Sequence, residues 1–197
     1  MNVKSKTRIA ALTGSLAMAV AAAPVAAQGV DREDLSAHAQ IAAYDVDGLS
    51  DNGTMLVIGG GYHFSELFSI KADYGVSIQD AETSRTFSDG FGNTADVDID
   101  LELTQIRGYF EGQFPFGESN FGARARAGVA NLDGDVSISN QIPDGSPDSA
   151  TTDADETGLM LGGGFYWQPS REHQISVNFD SPSSDVNTLS AGYDYRF

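Results

Sequence analysis

The sequence contains no cysteine, which removes disulfides, thiolate metal sites and a cysteine nucleophile from consideration. Basic residues are scarce as well: 11 Lys and Arg stand against 28 Asp and Glu, for a formal charge of −17. Binding a phosphate backbone depends on cations displacing its counterions, so nucleic acid is excluded as a partner. Beyond residue 27 no apolar run has the length of a transmembrane helix. Hydrophobic residues make up 41% of the chain, close to the share in a soluble domain, so the order of the residues has to decide what composition leaves open.

The first 27 residues differ from the rest. Lys4, Lys6 and Arg8 give a positive start, Ile9 to Ala23 form a 15-residue apolar run, and Pro24, Val25, Ala26 and Ala27 precede Gln28. This is the pattern of a secretory signal peptide cleaved after Ala27. A membrane anchor is the poorer reading, because the run is short and diluted by Thr13, Gly14 and Ser15. The expected division is therefore 1–27 signal peptide, 28–35 periplasmic lead and 36–197 barrel domain. Cleavage removes three basic residues and no acid, leaving 170 residues with 8 basic and 28 acidic side chains, a charge of −20.

From Ser36 onward the dominant signal has period two, which sends alternate side chains to opposite faces of a strand. Phe68, Ile70, Ala72, Tyr74, Val76 and Ile78 share one face, and Ser69, Lys71, Asp73, Gly75, Ser77 and Gln79 the other. Phe121 to Ala130 and Thr188 to Phe197 repeat the pattern, and looser versions cover Ser36 to Tyr44, Thr54 to Phe64, Val97 to Phe114, Thr157 to Gln168 and His173 to Asp180. The count is eight strands. In the fourth the apolar phase changes, from Val97, Ile99, Leu101 and Leu103 to Ile106, Phe110 and Phe114. That predicts either a bulge near Leu103 and Thr104 or a strand that leaves the membrane there.

Connections alternate in length. Ser65–Glu66, Pro115–Asn120 and Pro169–Glu172 are tight turns, whereas 45–53, 80–96, 133–156 and 181–187 are predicted to be long loops rich in Asp, Ser, Gly and Asn. Short periplasmic turns and long outer loops are the asymmetry of outer-membrane barrels. Phe64, Phe68, Phe110, Phe114, Phe121, Phe165 and Trp167 gather near the short turns, as an interfacial girdle would. Periodicity by itself also permits a soluble lipocalin-like cup with the apolar face inside.

The chain ends at Phe197 in a strand whose apolar face is Tyr193, Tyr195 and Phe197. This resembles the C-terminal assembly signal of bacterial outer-membrane barrels. With the leader, the eight strands and the loop asymmetry, the whole mature chain resembles the small eight-stranded barrels of the OmpA transmembrane-domain and OmpX type. The resemblance implies an all-β, eight-stranded antiparallel up-and-down transmembrane β-barrel in the outer membrane of a Gram-negative bacterium. It also implies a monomer among membrane lipid and lipopolysaccharide, delivered by the outer-membrane assembly machinery. Unlike full-length OmpA, the chain is expected to lack a peptidoglycan-binding domain.

If the apolar face meets lipid, the lumen receives Lys71, Asp73, Arg107, Glu111, Arg124, Arg126, Asp180, Asp194 and Arg196. Unpaired charges in so narrow a space are costly, so a salt-bridge network that plugs the lumen is expected, with a narrow ion channel as the alternative. Acids are concentrated on the predicted outer surface: Asp133 to Glu156 holds seven with no basic residue. No segment has the ligand order of an EF-hand, so diffuse divalent-cation binding near lipopolysaccharide phosphates is expected, without a metal site or cofactor. The remaining alternative, an outer-leaflet lipid-modifying enzyme, needs a base beside a nucleophile. His38, His63 and His173 all lie near the periplasmic rim, where they are expected to satisfy their own hydrogen bonds, and no catalytic residue is assigned. The role expected is a non-catalytic one, structural or surface-interacting, through the acidic outer segments.

Overall fold

In the computed structural model, which describes residues 34–88, 94–141 and 147–197, nearly every alternating segment is a strand. These are β1 (Leu35–Val46), β2 (Gly53–His63), β3 (Phe68–Gln79), β4 (Ala81–Ser88), β5 (Thr94–Pro115), β6 (Phe121–Gln141), β7 (Pro147–Trp167), β8 (His173–Ser181) and β9 (Val186–Arg196). All pairings are antiparallel, in the order β3-β2-β1-β9-β8-β7-β6-β5, and β3 pairs with β5 to close the ring. β4 continues the path of β3 along β5, after a two-residue offset between Val76 opposite Thr104 and Ala81 opposite Leu101. Eight strand positions therefore form a closed barrel. The seam between the first and last strands runs from Ser36 opposite Arg196 to Val46 opposite Val186. The expected leader lies outside the described residues.

Closure decides which face is inside. Lys71 and Glu111 are buried, at 2% and 1% exposure, whereas Leu159 and Phe165 are exposed at 80% and 67%. A soluble cup would show the reverse, so the apolar band faces lipid and the cup reading is overturned. On β6 the outward band runs from Phe121 to Val129, about 27 Å of strand at roughly 3.3 Å per residue. Tilted by about 35–45° as barrel strands are, that length spans about 19–22 Å, most of the ~25 Å apolar height of an outer-membrane barrel.

One expectation is completed and one corrected. First, β5 pairs with β6 in unbroken register from Asp96 to Pro115, but on its other side the pairing moves by two residues, from Val76 opposite Thr104 to Ala81 opposite Leu101. Ser77 Oγ bonds the Leu103 N–H and C=O between them, and the strand leaves the membrane at that level. A further register shift lies between Thr54 and Met55. Odd-numbered residues of β5 point inward throughout 101–113. What changes is polarity, because above Gln105 the inward residues are Leu103 and Leu101 and the outward ones are Thr104 and Glu102. Second, most of 80–96 and 133–156 is strand rather than loop, forming a sheet of β4, β5, β6 and β7 that rises past the ends of the other strands. On β6, Ala130 and Leu132 turn inward while Asn131 and Asp133 turn outward, the inverse of the pattern below Val129. An outward face that becomes acidic has left hydrocarbon for water. Residues 89–93 and 142–146 lie outside the described residues.

Candidate functional site

Two direct cross-strand pairs anchor the lumen. Asp73 on β3 stands opposite Arg107 on β5, and Glu111 on β5 opposite Arg126 on β6. The Arg107 guanidinium lies 2.6 Å from the Asp73 carboxylate, and Arg126 lies 2.9 Å from Glu111. Further bridges cross the barrel. Lys71 Nζ is 2.8 Å from Asp194 and 3.0 Å from Glu111, and Arg124 is 3.3 Å from Glu111 and 3.4 Å from Asp194. Asp180 receives Arg126 at 3.0 Å and Arg107 at 3.4 Å. Four cations and four carboxylates thus interlock in a buried space; each cation has two carboxylate partners, and Glu111, Asp180 and Asp194 each have at least two cations, while Asp73 meets Arg107 and the His38 imidazole. Only such dense pairing offsets the several kcal/mol it costs to desolvate each ion.

The two inward glycines of β7 make the reach possible. Arg126 lies opposite Gly162, which lies opposite Asp180, and Arg124 lies opposite Gly164, which lies opposite Asn178. With no side chain on β7, each arginine passes over it to a partner on β8, and Arg124 Nε donates to Asn178 Oδ1 at 2.5 Å. A Cβ at Gly164 would sit 2.8 Å from that same oxygen.

Arg196, which the sequence placed among these charges, is only partly buried and donates to Gln113 Oε1 at 3.2 Å rather than to a carboxylate. His38, expected to satisfy its own hydrogen bonds near the periplasmic rim, joins the network, with Nε2 2.5 Å from Asp73 Oδ1, and the sequence reading missed Tyr109, whose hydroxyl donates to Asp73 at 3.3 Å beneath the Arg126 guanidinium. Both stand on the polar phase of their strands, so the same alternation that found Arg107 could have found them. His63 meets Ser36 Oγ at 3.2 Å in the lumen, and His173 meets the Tyr193 hydroxyl at 2.5 Å at the periplasmic rim. None of the three stands at the outer end. Among the described residues no group of three His, Asp or Glu side chains is arranged to hold a metal ion.

Above the charged layer the lumen is filled by apolar side chains. Ala42, Tyr44, Met55, Val57, Leu103 and Leu132 pack with Ala81 and Val186 into one buried cluster, and Tyr109, Ala130 and Met160 form another. The Tyr44 hydroxyl donates to the Leu101 carbonyl at 3.0 Å and meets Ser77 Oγ at 2.9 Å, so its one polar atom is satisfied. This second layer was not anticipated. At the other end, Tyr195 and Phe197 pack edge to face with ring centroids 5.2 Å apart, and the Phe197 N–H donates to the Leu35 carbonyl across the seam. Phe121 stacks on Trp167 and Phe64 on Phe68 at the same rim, where amphipathic and aromatic rings settle between lipid and water.

The family model for the outer membrane protein beta-barrel domain matches residues 11–197. No curated protein sequence matches the chain. Among solved structures, the chain is similar to Neisserial surface protein A, at 16% identity over 83% of this chain and 96% of that one, with a TM-score of 0.54. It is also similar to the outer membrane protein OprG from Pseudomonas aeruginosa, at 12% identity over 83% and 95% of the two chains, with a TM-score of 0.51. At such identities the likeness is one of fold.

Proposed function

The chain belongs to the outer membrane protein beta-barrel domain family and is an outer-membrane barrel among lipids, and from that premise we propose that it is a non-catalytic, sealed anchor that presents an acidic sheet to the cell exterior. The observation that carries this reading is the double closure of the lumen, by interlocked charges below and by Tyr44, Met55, Leu103 and Leu132 above. Water and ions would have to break the first layer and wet the second to pass. Lys71, Asp73, Arg107, Glu111, Arg124, Arg126, Asp180 and Asp194 serve in this reading as a structural plug, with Arg196 at its edge. Tyr193, Tyr195 and Phe197 serve as the segment that the assembly machinery reads, and the protein works as a monomer.

Beyond the band, Asp98, Asp100, Glu102, Asp133, Asp135 and Asp155 stand on stretches of strand that carry no Lys, Arg or His. That surface attracts cations and basic partners, and at the level of lipopolysaccharide phosphates it recruits divalent ions diffusely. The test has three readings on the folded protein. Planar bilayers should show no single-channel steps; steady conductance would restore the channel. Lipid A from overproducing cells should be chemically unchanged, and loss or gain of an acyl chain would reveal an enzyme. Nanodisc-embedded protein should retain a polylysine probe at low salt and release it at high salt; no retention would end the surface-interaction reading.

A further inference from the structure

Strand pairing lays one row of outward-facing residues obliquely across the lipid face. The row runs from His173 on β8 through Tyr195 on β9 and Ala37 on β1 to Gly60 on β2, Ala72 on β3 and Gly108 on β5, each directly opposite the next. The last four are small, whereas the neighbouring rows are bulky: Tyr62, Ile70 and Phe110 on the periplasmic side, Ile58, Tyr74 and Ile106 on the other. Between those rows lies a cavity of about 330 Å³ whose lining includes Gly60, Ile70, Ala72, Gly108 and Phe110. A Cβ built at Gly108 would meet no atom within 4 Å, so the space over it is open. The row also climbs. His173 is the first residue of β8, just after the turn at Pro169–Glu172, whereas Gly108 stands seven residues short of Pro115 at the end of β5. The groove therefore starts at the periplasmic rim and ends within the hydrocarbon.

We propose that this groove binds one amine-bearing glycerophospholipid of the periplasmic leaflet, with an acyl chain along Ala37, Gly60, Ala72 and Gly108 and the headgroup at Glu172 and His173. Hydrocarbon outside a barrel leaves no water to fill such a space, and an empty one forfeits dispersion contacts along its walls. A chain laid between the two bulky rows is touched on three sides, against one on a flat strand surface. The dimensions agree. At about 4.8 Å per strand the row from Tyr195 to Gly108 is about 19 Å long, and with strands tilted by about 40° it rises about 12 Å, inside the ~15 Å of one leaflet's hydrocarbon. The polar end suits a zwitterion. The Tyr193 hydroxyl lies 2.5 Å from His173 Nδ1; donating there, it leaves the imidazole proton on Nε2, free for a phosphate oxygen. The Glu172 carboxylate stands 3.9 Å from Nε2 and is 64% exposed, placed to receive a primary ammonium. Tyr195, its ring 5.5 Å from the imidazole, joins headgroup to groove at the level where aromatic rings settle. A second copy of this chain is the poorer occupant, because two convex barrels meet along a narrow strip and cannot follow a groove around several strands. The site lies apart from the acidic sheet and holds whether or not that sheet takes a partner.

The experiment uses the folded protein in phosphatidylcholine nanodiscs doped with a trace of phosphatidylethanolamine, phosphatidylcholine or phosphatidylglycerol that carries a diazirine midway along one acyl chain. After photolysis, peptide mapping locates the label. Phosphatidylethanolamine should label residues 70–74 and 106–110 severalfold above the lipid-facing stretch 159–165, and above either other lipid. Gly108→Leu fills the groove from an open Cβ position and should abolish that enrichment, while the heat-dependent shift in gel mobility is retained. Glu172→Gln should lower the phosphatidylethanolamine signal about fivefold, the loss expected for one net hydrogen bond. Should Gly108→Leu not fold, Glu172→Gln, on an exposed turn, decides alone. Even labelling around the barrel would overturn the site. Groove labelling equal for all three lipids and unchanged by Glu172→Gln would overturn the assignment of an amine-bearing headgroup. A dimer detected by mass in nanodiscs, and lost in Gly108→Leu, would give the groove to a second copy instead.

Discussion

The membrane-embedded half of the barrel and the sheet that rises from it are built from the same strands with opposite polarity. Along β6, Phe121, Ala123, Ala125, Ala127 and Val129 face out and Arg124 and Arg126 face in; a few residues later Asn131 and Asp133 face out and Ala130 and Leu132 face in. Backbone and register do not change at the crossing. Polarity follows the solvent outside, and whatever remains fills the inside. Hydrocarbon outside obliges the charges to meet one another in the lumen, whereas water outside allows an apolar interior like that of any soluble sheet.

The comparison is broken most sharply at Glu111, which faces Lys71, Arg124 and Arg126. Glu111→Ala should cost about 4 kcal/mol, because three buried cations lose their shared anion, measured as urea unfolding in lipid vesicles. Arg124→Ala should cost about 3 kcal/mol by the same logic; unchanged unfolding would remove the plug. In the upper layer Leu132→Ala should also cost about 3 kcal/mol, here from lost burial and a cavity rather than from charge, and its midpoint should be insensitive to salt. Arginine reads the boundary directly: Ala127→Arg should cost about 3 kcal/mol on the lipid face, and Ser137→Arg on the outer face less than about 0.5 kcal/mol. Equal costs would move the boundary. Gly164→Ala should cost about 2 kcal/mol, because its Cβ would run into the Val177 carbonyl, lie 2.8 Å from Asn178 and push β8 away from Arg124. The smallest effect is a gain: Glu102→Gln removes a carboxylate directly opposite Asp135 and should stabilise by about 0.3 kcal/mol at low salt, fading as salt rises.

Much of the lower half was legible. Each lumen charge stands on the polar phase of a strand whose other phase is apolar, so Lys71, Arg107, Glu111 and Asp194 could be assigned one by one. Their partners could not. Lys71 and Asp194 lie 123 residues apart and meet only because β3 and β9 face each other across a closed ring. Arg126 reaches Asp180 only because Gly162 stands between them without a side chain. The extension was misread for a different reason. Ala130, Leu132, Val136 and Ile138 alternate with Asn131, Asp133, Asp135, Ser137 and Ser139 as regularly as any lower strand, but acids and serines between aliphatics carry the composition of a loop, and composition outweighed period.

The sequence by itself determined that the chain forms strands, which residues share a face, and where the two faces exchange polarity, because a period of two is a local property of the backbone. Alternation alone did not determine which face is inside, which the sequence signalled only through its short and long connections, the aromatics near the short turns and the Tyr193, Tyr195 and Phe197 end. A sheet with one apolar and one charged face closes into a soluble cup or into a membrane barrel with identical alternation, and only the direction of curvature separates them. Ring closure also set the register, and register decided which charges became partners, since that depends on neighbours brought together from distant parts of the chain.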